Sequence, residues 1–96
     1  MNKPLIIRPE LIKQLLALPL AQRKAAWESL SLLSEAFGHP HSHSGLGIRK
    51  LRPHLFECRV GLNLRLLFKD RDMGVEVFWI GNHDQMQTFL RNYKYD

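Results

Sequence analysis

The stretch LFECRVGLNLRLLFKDRDMGVEVFWI, residues 55–80, decides the fold. Its apolar residues recur with a period of two, the spacing at which a strand sends successive side chains to opposite faces. Leu55 to Val60 alternates, Leu64 to Phe68 is apolar apart from Arg65, and Val75 to Ile80 is β-branched and aromatic. Gly61 to Asn63 and Asp70 to Gly74 are short polar or glycine-bearing connections, so the three segments predict an antiparallel meander. In the first strand Phe56, Cys58 and Val60 point one way, while Leu55, Glu57 and Arg59 point the other. The apolar set is expected to meet a layer of helices.

That layer lies upstream. Leu5-Ile6-Ile7 reads as a short strand between Pro4 and Arg8. Pro9 suits a first helical turn, and Glu10 is favourably placed against the helix dipole. Leu11, Ile12, Leu15, Leu16 and Leu18 form a helical stripe over residues 10–18, ended by Pro19. A second helix is expected from Leu20 to Phe37. Its predicted apolar face is Leu20, Trp27, Leu30, Leu33 and Phe37, with Gln22, Arg23, Glu28 and Ser29 outward, and Gly38 and Pro40 stop it. After the meander, Asn82 or His83 begins a last helix that presents Met86, Phe89 and Leu90. The order β-α-α-β-β-β-α predicts an α+β fold: an N-terminal helical hairpin packed on one face of a small, mainly antiparallel sheet, the other face left open.

Length and composition set the bounds. Ninety-six residues make a single domain over 1–96, and 45% hydrophobic against 24% charged residues excludes a disordered chain. A core this small leaves little room for a deep substrate cavity, so the partner is expected to be large. Fourteen Lys and Arg against nine Asp and Glu give a formal charge of +5, which favours a polyanionic partner. Cys58 is the one cysteine, so an internal disulfide and a cysteine-based zinc site are excluded, and a reducing cytoplasmic location fits. It reads as a small buried hydrophobe. No apolar stretch approaches the roughly 20 residues that cross a bilayer. Pro9, Glu10 and Lys13 interrupt the N-terminal apolar residues, so neither a signal peptide nor a membrane partner is expected.

The functional signal is polar. Arg49, Lys50, Arg52, Arg59 and Arg65 fall within one short stretch whose carboxylate is Glu57. Such a field suits phosphodiesters, although a solvated basic face with a Glu57–Arg59 pair accounts for most of it equally well. Arg65 is harder to explain that way, because a charge inside an apolar strand needs a partner. The run Ile80-Gly81-Asn82-His83-Asp84 places a histidine at the end of a strand, and imidazole exchanges protons near neutral pH. Asp84 either orients His83 or caps the following helix. Neither upstream helix is basic enough for a helix-turn-helix reading head.

Residues 47–92 resemble the RelE/ParE superfamily of bacterial type II toxins. The resemblance rests on Lys50-Leu51, then Arg59-Val60-Gly61, then Arg65 on the next strand, and Gly81 to Asp84 at the end. It implies a compact α+β toxin neutralised by a cognate antitoxin protein. Many members cut mRNA, usually on the ribosome; others inhibit DNA gyrase without cutting, which is the alternative here, beside an inactive regulatory homologue.

The chemistry implied is attack of an RNA 2′-hydroxyl on its own adjacent phosphate, with no cofactor or metal. It needs a base, an acid and cations on the phosphate. The resemblance assigns Arg65 and Arg59 to the phosphate, His83 to acid or base work, and Lys50 or Glu57 to the complementary role. Arg49 and Arg52 join Lys50, Arg59 and Arg65 as nucleic-acid contacts. Many relatives carry a tyrosine shortly after the His-Asp pair; Gln87 stands there, with Tyr93 and Tyr95 further along. His39, His41 and His43 alternate in a loop and read as solvated rather than as a metal site. His54 reads as a turn residue, and Trp27 and Trp79 as core.

Overall fold

Alternation along the meander sorts the side chains as the sequence predicts. The structure, a computed structural model, describes residues 4–36 and 45–94. Phe37, the Gly38–Pro40 stop, the histidine run at 39, 41 and 43, and Tyr95 lie outside the described residues. In chain order the elements are β1 (Leu5–Ile7), α1 (Pro9–Ala17), α2 (Leu20–Ala36), β2 (Arg49–Arg52), β3 (Leu55–Val60), β4 (Leu64–Arg71), β5 (Gly74–Asn82) and α3 (His83–Asn92). The sheet runs β1-β5-β4-β3-β2, with β1 parallel to β5 and every other pair antiparallel. This is the predicted α+β architecture with one strand more: β2 was not expected, because Arg49-Lys50-Leu51-Arg52 has no apolar alternation. It is an edge strand, where cations are tolerated and discourage further pairing. The Pro53–His54 turn joins it to β3, with His54 at φ +64°.

One sheet face carries Cys58, Val60, Leu66, Phe68, Val75 and Val77, buried against Leu11 and Leu15 of α1 and Ala26, Leu30 and Leu33 of α2. Phe56 and Phe68 are direct cross-strand partners whose rings stack at 5.5 Å. The helical stripes are narrower than predicted. Ile12 is exposed, as are Leu16 at 65% and Leu20 at 67%. Trp27, expected in the core, is 45% exposed, whereas Ser29, expected outward, is buried. The reason is clearance. Ala26 and Ser29 are small enough to bring α2 close to the sheet, and the Ser29 hydroxyl donates to the Arg59 carbonyl at 3.1 Å.

The second face is divided. α3 covers part of it, burying Met86 and Leu90 against Leu55 and Leu67, so the face is not wholly open as the sequence implied. A register shift opposite Leu67 and Phe68 inserts Phe78 as an extra residue in β5, and Phe78 and Trp79 both pack against this second cluster. Trp79 is accordingly half-buried beside α3 rather than in the main core.

The parallel strand β1 is held at its start by a close approach. The Val75 N–H donates to the Pro4 carbonyl at 2.9 Å, and a Cβ on Gly74 would collide with that same oxygen. Gly74→Ala should therefore push β1 from the sheet and cost about 1–3 kcal/mol of stability, read as a lower urea midpoint.

Candidate functional site

Strand register decides which polar residues meet. Arg49 pairs with Glu57 across β2 and β3, and Arg59 pairs with Arg65 across β3 and β4. Arg65 in turn faces Gly81 on β5, and the chain enters α3 two residues later at His83. Paired residues share a face, so these side chains gather on the second sheet face beside the N-terminus of α3. Together with Gly47, the residues Arg49, Glu57, Arg59, Arg65 and His83 line one cleft of about 150 Å³.

Glu57 is the hub. It is 4% exposed, and its two oxygens are taken by different guanidiniums. Arg49 Nη2 donates to Oε2 at 2.8 Å, and Arg65 Nε lies 3.2 Å from Oε1. Arg65 Nη1 also donates to the Leu64 carbonyl at 3.1 Å. Only its Nη2 edge then lacks an acceptor among the described residues. This answers the question raised by a charge within an apolar strand: its counterion is Glu57, not a distant residue. The expected Glu57–Arg59 pair is replaced by these two. Arg59 is exposed and has no acidic partner among the described residues. Its side chain lies across Gly47, where a Cβ would come within 3.0 Å of Nε, and Gly47 has φ +62°. Gly47 was not singled out from the sequence; two glycines flanking Leu46 just before a basic strand were the signal available.

Two of the expected residues stand elsewhere. Lys50 pairs with Phe56, whose ring packs on the helix-covered side, so register places Lys50 away from the cleft. Arg52 donates to the carbonyls of Leu90 at 2.9 Å and Tyr93 at 3.1 Å, holding the C-terminal end of α3. Asp84 neither caps the helix nor lines the cleft. Asn82 is the cap: its side chain accepts from the Gln85 N–H at 2.8 Å, and the Gln85 side chain accepts from the Asn82 N–H at 2.8 Å. That reciprocal box fixes where α3 starts and so where His83 projects. Gln87 is exposed on α3, and Tyr93 stacks on Phe78 and Phe89 rather than lining the cleft.

Behind the cleft, Cys58 is fully buried. Burial pushes its thiol up to about 12; the neighbouring Glu57 charge adds to the rise and Arg65 opposes it. The thiol is thus inert packing, as the sequence reading held.

No protein-family model matches the sequence. No curated protein matches it either. Solved structures do. A chain of the archaeal RelE–RelB complex from Pyrococcus horikoshii aligns with a TM-score of 0.68 at 19% identity, over 85% of this chain and 96% of that one. A chain of the RelB–RelE antitoxin–toxin complex from Methanococcus jannaschii gives 0.65 at 15% identity, over 88% and 96%. A chain of the YoeB–YefM complex from Staphylococcus aureus gives 0.59 at 14% identity, over 86% and 99%. The chain shares its fold with each of these three chains.

Two outcomes follow from the cleft's packing. Glu57→Gln should cost about 1.5–3 kcal/mol in chemical denaturation, because it weakens charged hydrogen bonds to Arg65 and Arg49 at a buried position. Arg49→Ala should cost about 1–3 kcal/mol, since it leaves Oε2 of the buried Glu57 without its donor. Cys58 should resist a thiol-specific disulfide reagent in the folded protein at mildly alkaline pH and react at once when the chain is unfolded in denaturant.

Proposed function

We propose that this chain is the toxin of a type II toxin–antitoxin pair and that it cleaves mRNA at the ribosome in the cytoplasm. The observation that carries this reading is the convergence of Arg59, Arg65, Glu57 and His83 on one cleft at the rim of an exposed sheet face. Three guanidiniums against one carboxylate leave the cleft positively charged, and the N-terminus of α3 adds a partial positive charge on the same side. A phosphodiester suits that field.

The reaction needs no more than these side chains. Arg59 and the Nη2 edge of Arg65 hold the scissile phosphate and offset the charge that develops on it. With Lys50 on the other side of the sheet, Glu57 takes the complementary proton role. Each of its oxygens retains a lone-pair direction beyond its guanidinium bond, so the carboxylate can accept the 2′-hydroxyl proton. The 2′-oxygen then bonds to phosphorus, the bond from phosphorus to the 5′-oxygen breaks, and His83 gives its proton to that leaving oxygen. The products are a 2′,3′-cyclic phosphate and a 5′-hydroxyl end.

The three aligned chains were each solved in a two-protein complex, the Methanococcus jannaschii one an antitoxin–toxin complex, which supports an antitoxin as the regulatory partner. The exposed Ile12, Leu16 and Leu20 on the helical hairpin give such a protein an apolar surface to cover.

Expression without an antitoxin should arrest growth and leave transcripts with cyclic phosphate ends. His83→Gln alters an exposed side chain and should lower the cleavage rate by roughly 10²–10⁴-fold while the protein stays folded. Arg65→Ala should also restore growth. Intact transcripts with accumulating DNA breaks would replace this reading with gyrase inhibition, and undisturbed growth would replace it with a regulatory homologue.

A further inference from the structure

The second sheet face carries another concavity, larger than the cleft and nearer β1. β1 pairs with β5 only as far as Val77. Beyond it the β5 edge is completed by Gln14, whose amide donates to the Ile80 carbonyl at 2.9 Å and accepts from the Ile80 N–H at 3.0 Å. The early end of β1 leaves a groove of about 570 Å³ between β5, the start of α1 and the C-terminal half of α3.

Its wall is aromatic. Trp79 stacks on Phe89 at 5.1 Å, Phe89 on Tyr93 at 5.0 Å, and Tyr93 on Phe78 at 5.2 Å. All four rings are part-exposed. Lys69 Nζ sits 5.0 Å from the Phe78 ring and 5.1 Å from that of Tyr93. The carboxylates at the rim are answered: Glu76 lies 3.1 Å from Arg71 and 3.8 Å from Arg8, and Glu10 lies 3.5 Å from Arg8. The charged lining of the groove is thus balanced, Arg8 and Lys69 against Glu10 and Glu76, and Lys69 is the charge set against the rings. Part-exposed π faces beside an ammonium suit a flat aromatic ligand that carries its own anionic backbone.

Position ties the groove to the cleft. A Cβ on Gly81 would collide with Cη2 of Trp79, so the indole lies directly over Gly81, and Gly81 is the cross-strand partner of Arg65. One wall of the groove thus begins beside the residue assigned to the phosphate.

We propose that this groove is a stacking subsite for an unpaired nucleobase of the same RNA strand whose phosphate lies at Arg59 and Arg65. The identity of the strand rests on the nuclease reading; the stacking itself does not. Base–aromatic stacking is tolerant of sequence and is lost when the π face is removed, even if apolar volume is kept.

The test uses a 2′-O-methyl RNA oligonucleotide, which cannot be cut, and full-length protein carrying Trp27→Phe, so that Trp79 is the sole indole reporter. The RNA should quench Trp79 fluorescence. Phe78→Leu and Tyr93→Leu, each checked for folding by circular dichroism, should weaken its binding roughly tenfold. Absence of quenching, or unchanged affinity in both variants, overturns the subsite. If the wild type cuts ordinary RNA and both variants cut and bind it equally well, the subsite fails while the nuclease reading stands. If RNA quenches Trp79 and binding depends on Phe78 and Tyr93, yet no RNA is cut, the subsite stands and the nuclease reading fails. Quenching by oligolysine and not by RNA would make the groove a peptide site and overturn the proposal.

Discussion

A buried carboxylate shared between two arginines organises the second face of this sheet. Glu57 sits in a strand whose other residues pack or line a rim, and taking its charge out of water is costly unless it is fully bonded. Arg49 and Arg65 meet that requirement from strands on either side, one through Oε2 and the other through Oε1. The bond works in both directions. Arg65 is flanked in β4 by the buried Leu64 and Leu66, and without Glu57 its charge would be stranded in an apolar strand. The pair also sets direction, because bonds from Nε and Nη1 leave one edge of the guanidinium turned outward. A carboxylate in that position serves first as a positioning group, and any proton chemistry it performs is added to that role.

α3 divides the rest of the face, and both of its ends are fixed. Asn82 and Gln85 close a capping box at the start, while Arg52 from β2 holds the last carbonyls. Met86 and Leu90 supply the apolar grip in between. A helix tied at three points holds the imidazole at its first residue in a reproducible place, which is what a proton-transferring group needs. It also separates two surfaces of different chemistry: a cationic cleft near its N-terminus and an aromatic groove along its C-terminal half.

Much of this could be read from the chain alone, for a physical reason. Period-two alternation in β3 and β4 fixes which side chains share a face, so the gathering of Arg59, Arg65 and Glu57 followed once the two strands were taken as neighbours. The departures share a different cause: each depends on a contact between elements that no local pattern encodes. β2 is strand because it borders β3, although its four residues include three cations. Trp27 lies outside because α2 turns Ala26, Ser29, Leu30 and Leu33 to the sheet. Lys50 and Arg49 are adjacent in sequence and were grouped together, yet a strand sends neighbours to opposite faces, and once β2 is recognised only Arg49 belongs to the cleft. Arg52 was grouped with the nucleic-acid contacts because its acceptors, the carbonyls of Leu90 and Tyr93, lie some forty residues away.

Identity below 20% to each of the aligned structures means that the fold persists with few residues in common. What such a fold conserves is a scaffold: a helical hairpin burying one sheet face and a terminal helix crossing the other. Chemistry then belongs to whichever side chains the uncovered remainder carries. Here that remainder bears three guanidiniums, a carboxylate that two of them confine and an imidazole at a capped helix start. They come from β2, β3, β4 and α3, and strand register brings the guanidiniums and the carboxylate together. A one-residue slip of β3 against β4 would send Glu57 to the other face and leave Arg65 without its counterion. The apolar alternation that seals Cys58, Val60 and Leu66 beneath the helices forbids such a slip. The core therefore does more than stabilise the chain: by locking register it also composes the site.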